Sequence, residues 1–314
     1  MNKKTIKFFI KLFVGLTLIA YLLFFKTKPE LVVKVLKNSN FILLILSFSL
    51  HSVGIFISSV RWKILLDNSQ ANYSIIDLMK SYLVANFFNH FLPTRFGGDI
   101  IRVSDTRNTK SGISGSVSIV AVERTTGIIV LLGFALISSL IKIDFVKKLP
   151  FILISMAIGL FGLIIIVIFF KYVKKDFFLR FKFNMNFINK LFLKINSFHN
   201  SLLDSIENKI VLKKVFFWSF LLQINVVIHY YLIGLAIGLK IPFVDYFFTI
   251  PILLFALTLP ITVNGLGVRE IVLNAFFIYY GYNMSFAISF SAVDLGFNLI
   301  LGLIGGIIYL FRKK

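Results

Sequence analysis

Apolar and polar positions alternate in long blocks along this chain rather than with a short period. Runs at 12–25, 41–66, 117–141, 150–171, 214–238 and 285–311 are almost wholly apolar. Most reach the roughly 20 residues needed to cross a hydrocarbon layer about 30 Å thick. Two further runs are interrupted. Residues 75–93 carry Asn86, Asn89 and His90 and stop at Pro93; residues 247–262 are broken at Pro251 and Pro260, and an apolar 271–281 too short to cross comfortably follows. The pattern predicts an all-α, polytopic membrane bundle of about six full spans plus two re-entrant broken hairpins, or 8–9 segments if both hairpins cross. The chain reads as a single integral membrane domain, 1–314.

Composition agrees with membrane residence. The mean hydropathy of +0.91, with 58% hydrophobic residues and 38 Phe, exceeds what a soluble core of 314 residues can hide. The net charge of +21 would suggest nucleic acid on a soluble chain. Here the excess lies between the spans, where cations orient helices and meet anionic headgroups, and no nucleic-acid motif accompanies it. The basic stretch at 1–11 followed by an apolar run resembles a signal peptide, but no small-residue cleavage site follows. An uncleaved first span with a cytoplasmic amino terminus is therefore expected. Residues 172–213 alternate Lys and Arg with Phe and Ile, as an amphipathic segment on the inner leaflet would, and Arg312, Lys313 and Lys314 put the carboxyl terminus on the same side. With no cysteine in the chain, disulfides, thiolate catalysis and thiolate metal sites are excluded.

The interrupted segments hold the candidate chemistry. LPTRFGGDIIR (92–102) and LPITVNGLGVRE (259–270) each follow Leu-Pro with glycines, then an Arg and an acid, about 170 residues apart. Span, broken hairpin and span recur at a similar offset, which predicts inverted repeats over 41–141 and 214–311. Paired broken segments in corresponding halves point to a transporter site. Asp99 stands between Arg95 and Arg102 and shares a helical face with Arg102. Gly97 and Gly98 would let backbone N–H groups approach an anion, and the planar guanidinium fork suits phosphate. Glu123 and Arg124, like Arg269 and Glu270, are adjacent opposite charges free to pair with different elements. Glu123 is expected to meet Arg95 or Arg102, and Arg269 an acid of the first half. Asn264, Gly265 and Gly267 form a turn.

Secondary candidates are Arg61, Asn89 and Asp294. Arg61, Trp62 and Lys63 read more simply as an interfacial anchor. Asp294 shares a face with Asn298 inside the last span, where an acid is a functional candidate by default. His51, His90 and His229 have no metal-ligand spacing and read as polar packing residues, so no metal site, cofactor or catalytic set is assigned. Gly234/Gly238 and Gly302/Gly306 have the spacing of close helix contacts.

At RWKILL (61–66), SYLVANFFNHFLPTRFGGDIIRV (81–103), ERTTGI (123–128) and LPITVNGLGVREIVL (259–273), the chain resembles the membrane-embedded, flippase-like region of lysylphosphatidylglycerol synthases. The resemblance implies a bacterial or archaeal inner-membrane protein associated with moving phospholipid between leaflets. It places the family's polar motif on Arg61, Asn89, Pro93, Arg95, Gly98, Asp99, Arg102, Glu123, Arg124, Asn264, Gly265, Gly267, Arg269 and Glu270. A soluble aminoacyl-transferase domain is absent from this sequence, so synthase activity is not expected; Asp294 stands near a place where the family often has a basic residue. The implied partners are an anionic or zwitterionic lipid or a lipid-linked sugar. A glycosyltransferase or a second copy would be a protein partner. The alternatives are a membrane-embedded enzyme acting on polyprenyl-phosphate, with Asp99 or Glu123 as base or metal ligand, and an accessory scaffold recruiting through 172–213.

Overall fold

The computed structural model describes residues 29–91, 97–141, 150–180, 186–258 and 265–312. Expectations for the first span, Pro93, Arg95, Pro260, Asn264, Lys313, Lys314 and the side chain of His90 lie outside the described residues. Those residues form eleven α-helices and no strand. The helices are α1 (Pro29–Lys37), α2 (Phe41–Asn68), α3 (Ile75–Phe91), α4 (Gly97–Asp105), α5 (Gly112–Ile141), α6 (Pro150–Tyr172), α7 (Asn186–Glu207), α8 (Lys209–Ala236), α9 (Phe243–Thr258), α10 (Val268–Phe277) and α11 (Met284–Phe311).

Local chemistry sets several of the helix starts. Asn40 accepts from the Leu43 N–H, Asn208 from Ile210 and Val211, and Asn283 from Ser285, so three long helices begin at an Asn cap. By length and composition, α2, α5, α8 and α11 are long enough and apolar enough to cross a membrane. A 28-residue helix such as α2 is about 42 Å long. Helix α6 adds 23 residues, nearly all apolar, of which Ile158, Phe161, Ile165 and Phe169 are exposed. An apolar face of that size is at home against lipid.

The helices pack as two four-helix units, α2–α5 and α8–α11. Exchanging the units (α2 for α8, α3 for α9, α4 for α10, α5 for α11) reproduces most of the packing; the contact of α5 with α8 has no comparable image. Helix α2 lies on its counterpart α8. Helix α3 lies on α11, as α9 lies on α5. Within the units, α3 holds α4 as α9 holds α10, and α4 touches α5 as α10 touches α11. The main apolar core belongs to the second unit, around Ile233, Tyr246, Leu253, Phe277 and Phe290, where the Tyr230 ring stacks on Phe290. A smaller core around Trp62, Leu65, Leu66, Leu78 and Ile119 anchors the first.

Glycines allow the tightest approaches. A Cβ on Gly305 of α11 would overlap the Leu83 carbonyl of α3, and one on Gly306 would press on the Phe87 ring. Of the expected pair Gly302/Gly306, Gly306 makes a close helix contact, with Gly305 taking the closest place. In the other pair, Gly234 faces Tyr246, whereas Gly238 ends its helix at φ +88° and serves the turn instead.

Helix α7 is amphipathic as its sequence suggests. It presses Asn196, His199, Ser201, Leu203 and Ser205 inward, packing chiefly on α5. Its buried face is thus occupied by protein. Leu191 and Leu193 on the same helix stay exposed.

Candidate functional site

Two buried ion clusters occupy corresponding places in the two units. In the first, Glu123 on α5 is only 1% exposed. Its Oε1 accepts from Arg61 Nη2 at 2.6 Å and from the Tyr82 hydroxyl, and its Oε2 pairs with Arg102. Arg61 also donates to Ser219 Oγ on α8 at 3.0 Å. The Arg102 guanidinium lies between the Trp62 and Tyr82 rings, 4.3 and 4.2 Å from their centroids. Cation–π contact of this kind partly replaces the water that a buried guanidinium gives up. Asp99 completes the set with Oδ1 3.6 Å from Arg102 and Oδ2 2.6 Å from Arg124 Nε.

The turn before α4 is built for this arrangement. Asn89, one turn from the end of α3, accepts the Gly98 N–H at 2.8 Å and so caps the next helix across the break. A Cβ on Gly98 would come within 2.5 Å of the Ala85 carbonyl and 2.7 Å of Asn89. Only glycine lets α4 fold this closely back on α3, which delivers Arg102 to Glu123. Gly97 is buried beside it.

In the second cluster, Arg269 leads α10 and pairs through Nη1 with Asp294 Oδ2 on α11. Asn298, one turn on, donates to the Asp294 carbonyl at 2.8 Å and to its Oδ1 at 3.3 Å. His229 of α8 places Nε2 3.6 Å from the same Oδ1. Before α10, Gly265 and Gly267 have φ of +75° and +82°, a left-handed backbone open mainly to glycine. Gly267 caps α10 directly ahead of Arg269. Glu270 is buried next to Arg269.

Three members of the first cluster have counterparts on the corresponding helices of the second. Arg61 and His229 each stand twenty residues after the first residue of α2 and α8. Glu123 lies eleven residues into α5 and Asp294 ten into α11. Arg102 and Arg269 sit on the short helices that follow the breaks. Between the clusters is a cavity of about 260 Å³, lined by His51, Tyr82, Asn225, His229, Asp294 and Asn298 among others. Tyr82 touches the first cluster; His229 and Asp294 belong to the second.

Three expectations change. Arg61 and Trp62 are not an interfacial anchor: they are 6% and 0% exposed and serve the Glu123 cluster. Arg269 meets an acid of its own half, because α10 folds back onto α11 rather than reaching across. The histidines do not stay scattered, since His51, His229 and Asp294 place one ligand atom each within 4.8 Å of one another. Spacing along the chain carries no signal for a contact that crosses three helices. The remaining candidates fall as described above, with Arg95 and Asn264 outside the described residues.

A comparison with family models matches residues 8–306 to one described as the lysylphosphatidylglycerol synthase TM region. The chain belongs to this family. It is also similar, at 22% identity over 329 residues and 98% of both chains, to the UPF0104 membrane protein PH1989 of Pyrococcus horikoshii. No solved structure matches. The four-helix units, each broken between its second and third helices, are thus the structure of a TM-region family member, and membrane location follows from the family and from the apolar helices together.

Proposed function

We propose that this protein is a flippase-like translocator. It would carry the headgroup of an anionic or zwitterionic phospholipid, or of a lipid-linked glycan, across the inner membrane of a bacterium or archaeon. Both termini face the cytoplasm in this reading. The observation that carries it is the cavity flanked by two corresponding arginine–carboxylate clusters, each set by a glycine-bearing break. Paired broken segments in two related halves are how many carriers build a site at the bilayer midplane. A 260 Å³ cavity takes a polar headgroup while the acyl chains stay in lipid. The exchangeable packing of the two units supplies a second arrangement, with the halves' roles reversed, that could open the cavity to the other side.

The reading gives the buried arginines a positioning role. Arg102 and Arg61 are closed on Glu123, so a headgroup reaches them only by displacing a carboxylate. The polar cavity wall formed by Asn225, Asn298 and the Tyr82 side is where the headgroup first rests. The enzyme alternative fits less well. Glu123 and Asp99 each engage both oxygens with arginines, which leaves neither in place as a base.

The test is leaflet transfer of a fluorescent phosphatidylglycerol in proteoliposomes, read by quenching from outside. Wild-type protein is expected to expose the inner-leaflet probe. Gly54→Leu and Asn298→Leu, which add bulk to the cavity lining from α2 and α11, are expected to stop it while the protein still elutes as a folded species. Transfer that persists at the wild-type rate in both folded variants overturns the reading.

A further inference from the structure

The correspondence between the clusters leaves one difference unexplained by packing. Where the first unit sets Arg61 against its carboxylate, the second sets His229, and the chemistry around that histidine is incomplete. Its Nδ1 lies 2.9 Å from the Ser47 carbonyl, which can only accept, and 2.8 Å from Ser47 Oγ, whose own hydrogen goes to the His229 carbonyl at 2.9 Å, so Nδ1 carries the hydrogen. In the neutral ring Nε2 then presents a lone pair. That Nε2 is buried, lacks a hydrogen-bond partner, and faces Asp294 Oδ1, itself an acceptor, at 3.6 Å. His51 Nε2 is likewise buried without a partner, with the two imidazole centroids 4.4 Å apart. His51, His229 and Asp294 each bring one ligand atom within 4.8 Å of the other two, and acceptors gathered so closely in a low-dielectric interior call for a cation between them.

We infer that His51, His229 and Asp294 bind a divalent transition-metal ion of the zinc class, with its fourth position open to the cavity. Three features choose a metal over a shared proton. First, 3.6 Å is too long for a proton held between nitrogen and oxygen, but it is close to the edge of a tetrahedron with bonds of about 2.0–2.1 Å, roughly 3.4 Å. Second, three donors converge, and a proton uses only two. Third, the formal charges differ. Arg61, Arg102 and Arg124 against Glu123 and Asp99 leave the first cluster one positive, whereas Arg269 against Glu270 and Asp294 leaves the second one negative. A divalent ion brings the second cluster level with the first; a proton does not.

The surroundings are those of a metal ligand set. The His229 Nδ1–H to a backbone carbonyl fixes its tautomer and ring plane, the usual support for a ligating imidazole. Arg269 holds the outer oxygen of Asp294 and leaves Oδ1 directed at the histidines. Two imidazoles and one carboxylate suit zinc, cobalt or manganese rather than calcium or copper(I). This site stands apart from the transport reading, since it requires only that the ion bind.

The experiment is a titration of purified, chelator-treated protein in detergent with Co²⁺, followed by displacement with Zn²⁺. About one Co²⁺ per chain with a visible tetrahedral spectrum is expected. His229→Gln and His51→Gln should each weaken it at least about tenfold, the scale on which ligand-shell losses act. His199→Gln, on α7 with its Nε2 near the Phe170 carbonyl, should leave it unchanged. If His229→Gln does not fold, His51→Gln decides, because its Nε2 makes no bond to lose. No stoichiometric Co²⁺, binding that survives both substitutions, or a histidine that takes up a proton but no metal would each overturn the inference.

Discussion

The two units place an acid, an arginine and a third nitrogen-bearing side chain on corresponding helices, yet they close their carboxylates differently. Glu123 has two guanidinium groups, a phenol and two aromatic walls around Arg102. Asp294 has one guanidinium, an amide and a histidine that does not reach it. Duplicated scaffolds therefore need not carry duplicated chemistry. One cluster is sealed and holds its helices together; the other is open to the cavity and is the better place for anything that comes and goes.

The sharpest way to break this comparison is to remove each acid in turn. Glu123→Gln keeps the shape but strands two buried arginines, and breaking a buried pair this way costs about 3–5 kcal/mol. Asp294→Asn strands one and should cost visibly less in the same unfolding measurement in detergent. Equal losses would mean that the second cluster is as closed as the first.

Packing gives a smaller effect. Gly98→Ala drives a methyl group toward the Ala85 carbonyl, and Gly305→Ala drives one into the Leu83 backbone. Overpacking of this kind typically costs about 1–3 kcal/mol. Because Gly98 sets the approach of α4 and Gly305 that of α11 to the same helix, both should lower the unfolding midpoint. By contrast Gly133→Ala, with nothing near its added Cβ, should not.

Much of the architecture was legible in the sequence, because membrane-depth helices announce themselves by their long apolar runs. The breaks at Leu-Pro and the glycines that follow were also visible. So was the sharing of a face by Asp99 and Arg102, or by Asp294 and Asn298, since both pairs lie within one turn. Partners on different helices were not visible. Arg61 beside Trp62 looks the same at an interface as it does against Glu123, and only the fold distinguishes them. The meeting of His51 with His229 depends on α2 lying along α8, and no local pattern encodes that register.

The smallest effect belongs to the periphery. Asp176 accepts from Asn196 and Asn200 at 2.9 Å each, and these bonds hold its carboxyl below the ordinary carboxylate range. With the native value depressed, its contribution is present above the unfolded value of about 4 and is lost as pH falls through the native one. Asp176→Asn should therefore lower stability slightly at neutral pH and not at all in strong acid, flattening the acid side of the profile, and the change stays small because the group is exposed to solvent. A large change at neutral pH would place α7 among the elements that hold the clusters.

The halves' relation to the membrane is tested most directly by single cysteines in corresponding loops, which the cysteine-free chain permits without further change. Asn72 lies between α2 and α3, and Lys240 lies between α8 and α9; both are exposed. In sealed, right-side-out vesicles an impermeant maleimide is expected to label Lys240→Cys at once and Asn72→Cys only after permeabilisation. Labelling of both from the same side would contradict inverted halves, and with them a carrier whose cavity opens alternately to the two faces.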